Sequence, residues 1–206
     1  MPYRNRVTPL GEITAIPLRG AWTGNRGIIH EGHEIVRQHG GDLWITCALQ
    51  FKGRHVEQWR PRRFTWLFFH DEAVSFAAGH RPCGECRHRD YMAFKNTWPR
   101  ESSDDQLPSA RQMNQRLHAE RMIKGTRRRR LHDLEWKTLP DGAFVLHDGT
   151  PVLVLDSELI EWTEQGYRGR WPRPTYGQAE VITPPSILAV LRAGYRAQID
   201  EAAVSR

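Results

Sequence analysis

"RFTWLFFHDEAVSFAAGHRPCGECRHR", residues 63–89, carries the densest structural information in this chain. Its aromatic opening, 63–69, has strand composition. Asp71 is placed to N-cap the short apolar helix "EAVSFAA", and Gly79 to terminate it in a left-handed conformation. Cys83 and Cys86 follow behind Pro82, with a second helix expected from about Cys83 through "RHRDYMAFKNTW". A Cys-x-x-Cys pair on a tight turn lets two thiolates converge on one ion. Gly84 keeps such a turn uncrowded, and backbone amides can face the sulfurs. Zinc is the default metal for this donor set. A thioredoxin-like redox pair would need a preceding βαβ unit, which this region does not offer, and two buried uncoordinated cysteines remain the bland alternative.

The wider composition narrows the class. The chain has 206 residues, 39% hydrophobic and 26% charged, with eight tryptophans, a globular profile. No apolar run approaches a membrane span, and "MPYRNRVTPLGEI" lacks the apolar core of a secretory signal, so a cytoplasmic protein with no membrane partner is expected. Three cysteines cannot form a closed set of disulfides, which makes the odd one, Cys47, a candidate third ligand.

The formal net charge is +6, and the excess is clustered in "RHVEQWRPRR", "KGTRRRRLH" and "YRGRWPRP". Arg62, Arg63, Arg127, Arg128, Arg129 and Arg130 are the candidate phosphate contacts. With Trp59, Tyr167 and Trp171 interleaved for stacking, they point to a nucleic-acid partner, DNA before RNA.

Along the chain, "GEITAI", "RGIIH", "HEIVRQ" and "DLWITCALQF" predict short strands, with a hairpin turn at "HGGD" (39–42), and together a small antiparallel sheet. "PRESSDDQLPS" (99–109) reads as a linker, and "ARQMNQRLHAERMIK" (110–124) as a helix ending at Gly125. From Leu139 the pattern becomes β-rich: two strands around an Asp-Gly turn, strands at "ELIEW" and "QAEVIT", and a final helix opened by "PPS". The expected fold is therefore α+β: a zinc-containing module over 1–98, a linker over 99–109, a helix and basic segment over 110–138, and a small β-rich module with a C-terminal helix over 139–206.

The run 63–92 resembles the metal-binding domain of the Ada DNA-repair proteins, in which a strand, a short Ala-rich helix and a Pro-Cys-x-x-Cys segment supply half of a four-cysteine zinc site. The resemblance implies DNA binding and upstream ligands near "WITCALQ", where Cys47 is the match. That family has two upstream cysteines and this sequence has one. A Cys3His site restores the count, with His118, His30 or His80 as the fourth ligand. The chain also looks like a group of small bacterial proteins sharing an N-terminal "GNRG" and a C-terminal "LTPPS"-like segment, a likeness that supplies no function.

"PCGEC" also fits the zinc deaminase pattern, in which P-C-x-x-C is joined by H-x-E. His55-Val56-Glu57 runs into Pro61 and is poorly placed on a helix. His118-Ala119-Glu120 lies in the predicted helix but follows the cysteines in the chain. In a hydrolase acting on a base or nucleotide, Glu120 would be the general acid and base. An interaction module with structural zinc is the third reading.

Overall fold

The computed structural model describes residues 2–53, 57–100, 106–126 and 128–205. The chain is α+β, as its pattern predicts. Strands β1 (Arg6–Val7), β2 (Ile13–Thr14), β3 (Trp22–Asn25), β4 (His30–Glu31), β5 (Glu34–Ile35), β6 (Ile45–Cys47) and β7 (Leu67–Phe69) precede helix α1 (Glu72–Ala77). Strand β8 (Arg81–Pro82) and helices α2 (His88–Asn96) and α3 (Ala110–Arg121) follow. Then come β9 (His132–Glu135), β10 (Phe144–His147), β11 (Thr150–Leu155), β12 (Glu158–Thr163), β13 (Gly166–Pro172), β14 (Gln178–Val181), α4 (Pro185–Arg192) and α5 (Glu201–Val204).

The N-terminal sheet has the order β2-β1-β7-β3-β6-β8. It is mixed, where the sequence suggested an antiparallel one: β1 runs parallel to β7 and β6 parallel to β8. The hairpin β4–β5 turns at Gly32-His33, and the 39–42 segment instead folds back so that the Gly40 amide donates to the Arg26 carbonyl at 2.7 Å. The second sheet, β13-β12-β11-β10-β14-β9, is antiparallel throughout. Asp148 and Gly149 take positive φ values of 50° and 77°, the geometry of the expected Asp-Gly hairpin.

Helix α1 is the hub of the molecule. The Asp71 carboxylate accepts from the Val74 amide at 2.8 Å, and past the C-terminus Gly79, at φ 85°, lets the His80 amide reach the Ser75 carbonyl at 2.9 Å. Every residue of α1 is buried, and its small side chains let neighbours close in from all sides. Ala73, Val74 and Ala77 pack with Phe144, Leu153, Ile160 and Trp162 of the second sheet. Phe76 packs with Phe94 of α2, Leu117 of α3 and Val190 of α4, and Ala78 lies against Val7, Leu67 and Phe69.

These clusters run across the 99–109 segment. Trp98 on one side and Ala110 on the other meet the same apolar group, and Ser109 with Gln112 forms a capping box that starts α3. Helix α3 ends at Arg121, earlier than Gly125, because Met122 leaves the helix to bridge Arg129. Among the described residues no helix is long and apolar enough to cross a membrane.

Candidate metal centre

Parallel pairing of β6 with β8 builds the site. The register sets Thr46 opposite Pro82, and the Cys83 amide continues the ladder by donating to the Thr46 carbonyl at 2.9 Å. Cys47 and Cys83 thus leave adjacent strand ends side by side. The chain then turns through 84–87, the Arg87 amide reaching the Cys83 carbonyl at 3.2 Å, and this swings Cys86 back to the same point. Helix α2 therefore begins at His88 and not at Cys83.

The sulfurs of Cys47, Cys83 and Cys86 lie within 4.8 Å of one another. Thiolates on a tetrahedral ion at ~2.3 Å would sit about 3.8 Å apart, so small rotations suffice to bind one. Two backbone amides face the sulfurs, Ala48 N–H toward Cys86 Sγ and Glu85 N–H toward Cys83 Sγ, each at 3.4 Å. The Cys83 thiol is drawn down to about 2 by hydrogen bonds from Cys47 and then Cys86, while Cys47 is pushed up by its bond to Cys83. A cation bound by the three sulfurs would displace their protons. The cluster can hold a metal ion.

The arginine after the knuckle anchors it. Arg87 is buried, its guanidinium 2.5 Å from Glu72 of α1, 2.7 Å from Asp90, and 3.8 Å over the Trp22 ring. Beside the cysteines lies a cavity of about 190 Å³ walled by Phe51, Phe64 and Trp66, with Glu85 also facing it. Phe64 and Trp66 have ring centroids 5.0 Å apart, and Phe64 is 41% exposed.

The histidines expected as a fourth ligand lie elsewhere. Among the described residues the metal-ligating group is Cys47, Cys83 and Cys86. His30 Nδ1 is 2.6 Å from Thr65 Oγ1, and its ring meets Trp59 edge-on. His80 is fully buried, accepts from Arg26 Nε at 3.3 Å, and packs on Phe69 and Trp44. Burial, then Arg26, Arg121 and Arg129, holds its pKa well below the usual imidazole range. His118 packs against His39 at 4.9 Å and lies 3.1 Å from Arg121. His55 lies outside the described residues.

Glu120, in α3, lies against the start of α4. Its carboxylate accepts from the Ser186 amide at 2.9 Å and the Ser186 hydroxyl at 2.6 Å, which caps the start of α4, and it pairs with Arg116. Neither His118 nor Glu120 belongs to the cysteine group found among the described residues.

The basic clusters divide. Arg62 and Arg63 are exposed, as are Arg128 and Arg130, while Arg127 lies outside the described residues. Arg129 turns inward, donating to the Ala77, Ala78 and Ile182 carbonyls, and so satisfies the end of α1. In the third cluster Arg170 binds Glu158 and the Ala203 carbonyl, and Tyr167 is buried with its hydroxyl on Asp71. Trp59 is 7% exposed, so Trp171 alone of the three interleaved aromatics presents a face to solvent.

Sequence reasoning missed the aromatic wall of Phe51, Phe64 and Trp66; the alternation of Phe64, Trp66 and Phe68 was its one local sign. Compared with protein-family models, with curated proteins and with solved structures, the chain matches none.

Proposed function

We propose that this is a zinc-binding protein that engages nucleic acid, DNA in preference to RNA. The observation that carries the reading is the juxtaposition of a three-thiolate cluster with an aromatic cavity whose exposed member, Phe64, directly follows exposed Arg62 and Arg63. Soft thiolates suit zinc. Aromatic faces beside cations are the elements of single-strand binding, the rings stacking bases while the guanidinium groups meet phosphates. The Ada-like run supports DNA over RNA.

Elemental analysis of purified protein should find about one zinc per chain. Fluorescence anisotropy should detect single-stranded or duplex DNA at low salt, with affinity falling steeply as salt rises. The double variant Arg62→Ala, Arg63→Ala should reduce the magnitude of the log–log salt slope by about 1.5 to 2, and Phe64→Ala should weaken single-strand binding about tenfold. Absence of binding to any nucleic acid at low salt would remove the reading.

A zinc-dependent hydrolase or deaminase acting on a nucleobase or nucleotide is the second reading. It is favoured by Glu85, which faces the same cavity as the cysteines. Glu85→Gln should leave zinc content and DNA affinity intact under the first reading. Under the second it should abolish a turnover detectable with cytidine, adenosine or their nucleotides.

A further inference from the structure

Near Trp44 the fold gathers three inward-turned arginines, and among the described residues the acid whose charge reaches them is Asp42, beside Arg121. Trp44, 2% exposed, is clasped between two guanidinium groups, Arg26 at 4.0 Å from the ring centroid and Arg121 at 3.8 Å. Both arginines are 1% exposed. Arg129 joins them from the segment after α3, and Arg26 and Arg129 each push Arg121 further below the usual guanidinium range, after burial itself.

Their partners among the described residues are backbone carbonyls and neutral side chains. Arg121 donates to the carbonyls of Gly79 and Asp42, at 2.7 and 2.8 Å, and Arg129 to those at the end of α1. Arg121 is thereby occupied, while Arg129 also lines a cavity with Arg26. Arg26 is less satisfied: Nη1 donates to the Gly11 carbonyl at 2.8 Å, Nε reaches neutral His80, and Nη2 is buried with no partner. A buried cation without a counter-charge is costly. A ligand that supplies the negative charge would offset that cost.

A cradle exists for one. Arg26 and Arg129 both line a cavity of about 320 Å³ with Trp44, Gly11, Gln38 and, at the rim, exposed Arg128. Among the described residues the acid lining it is Glu12, which is exposed and forms no ion pair with these arginines. Gly11 sits at φ 83°, and a Cβ built on it would stand 3.5 Å from Arg26 Nη2 and 3.6 Å from Arg129 Nη1, so the two guanidinium groups converge on one point.

We propose that this cavity binds a terminal phosphate, carried by a small phosphorylated molecule or by the end of a nucleic acid. A monoester dianion matches the paired guanidinium charges of Arg26 and Arg129, where a backbone diester would leave one uncompensated, and planar donor forks suit phosphate oxygens. The site shares no residue with the cysteine cluster, and its test does not depend on the metal.

Thermal unfolding of the full chain in inorganic phosphate, against chloride at matched ionic strength, should give a saturable rise in Tm. Arg26→Met should lose that rise. Gln38→Glu, an exposed change that places a competing carboxylate at the rim, should weaken phosphate binding at least tenfold while the protein stays folded, and it decides the matter should Arg26→Met fail to fold. An equal Tm in phosphate and chloride, or unchanged phosphate binding in Gln38→Glu, would overturn the proposal. Adenosine 5′-monophosphate and a short oligonucleotide with and without a 5′-phosphate identify the source. Tighter binding of the phosphorylated oligonucleotide than of the mononucleotide assigns the site to a nucleic-acid end, and the reverse assigns it to a small molecule.

Discussion

Glu72 and Arg87 form a buried ion pair, 2.5 Å between Oε1 and Nη2, that couples the hub helix to the cysteine knuckle. Glu72 also accepts from the Tyr195 hydroxyl and the Gln198 amide, each at 2.9 Å, so one carboxylate ties the knuckle to the C-terminal segment. Glu72→Gln leaves Arg87 buried with Asp90 as its remaining anion and is expected to cost about 3 to 5 kcal/mol. Urea unfolding measures this. A midpoint equal to wild type would show that the pair does not hold the two parts together.

The cysteine cluster predicts unequal effects of ligand substitutions. Cys47→Ser, Cys83→Ser and Cys86→Ser should each lose most of the bound metal, whereas His30→Ala and His118→Ala should keep it, because those imidazoles face Thr65 and His39. Cobalt substitution provides the readout through thiolate charge-transfer bands. Full metal content in Cys47→Ser would exclude Cys47 from the centre.

Glu120→Ala tests the capping role. Losing both bonds to Ser186 should cost about 1 to 2 kcal/mol, the range of helix caps, with metal content unchanged. Metal loss in a variant of wild-type stability would return Glu120 to the site.

His80 makes stability depend on pH. Its folded pKa lies below the unfolded value of ~6.5, so below that pH the unfolded chain binds a proton that the fold refuses. The contribution is intact above about 6.5 and is lost progressively as pH falls below it. His39, His118 and His132 are lowered too, by burial first, and add to the slope. His80→Gln should reduce the slope of unfolding free energy by up to about 1.4 kcal/mol per pH unit in that window while retaining metal. Denaturant titrations at pH 7, 6 and 5 check it, and an unaltered slope would contradict the buried neutral imidazole.

The parts of the fold legible from sequence are those made by near neighbours. Asp71 reaches an amide three residues on, Gly79 relieves a left-handed turn, and Asp148-Gly149 closes a two-residue hairpin. Strand β3 was not legible. "WTGN" has poor strand propensity, yet a Cβ at Gly24 would come 2.1 Å from the Ile45 carbonyl, so glycine is what permits β3 to lie against β6 at the centre of the sheet. Strand β13, "GYRGRWP", was read as a basic patch, although it pairs with the preceding β12 across the two-residue turn at 164–165 and Glu158 of β12 takes up Arg170.

The site divides along the same line. The Cys-x-x-Cys spacing by itself determined that Cys83 and Cys86 converge, since three residues of turn geometry suffice. That Cys47 joins them, and that the three histidine candidates do not, was decided by tertiary structure through the parallel pairing of β6 with β8. Charge shows the contrast most clearly. The sequence by itself determined that the chain is basic, and tertiary structure decided that Arg26, Arg121 and Arg129 turn inward, because carbonyls at the end of α1 and in the loops around Trp44 need donors that only a long side chain from a distant segment can supply.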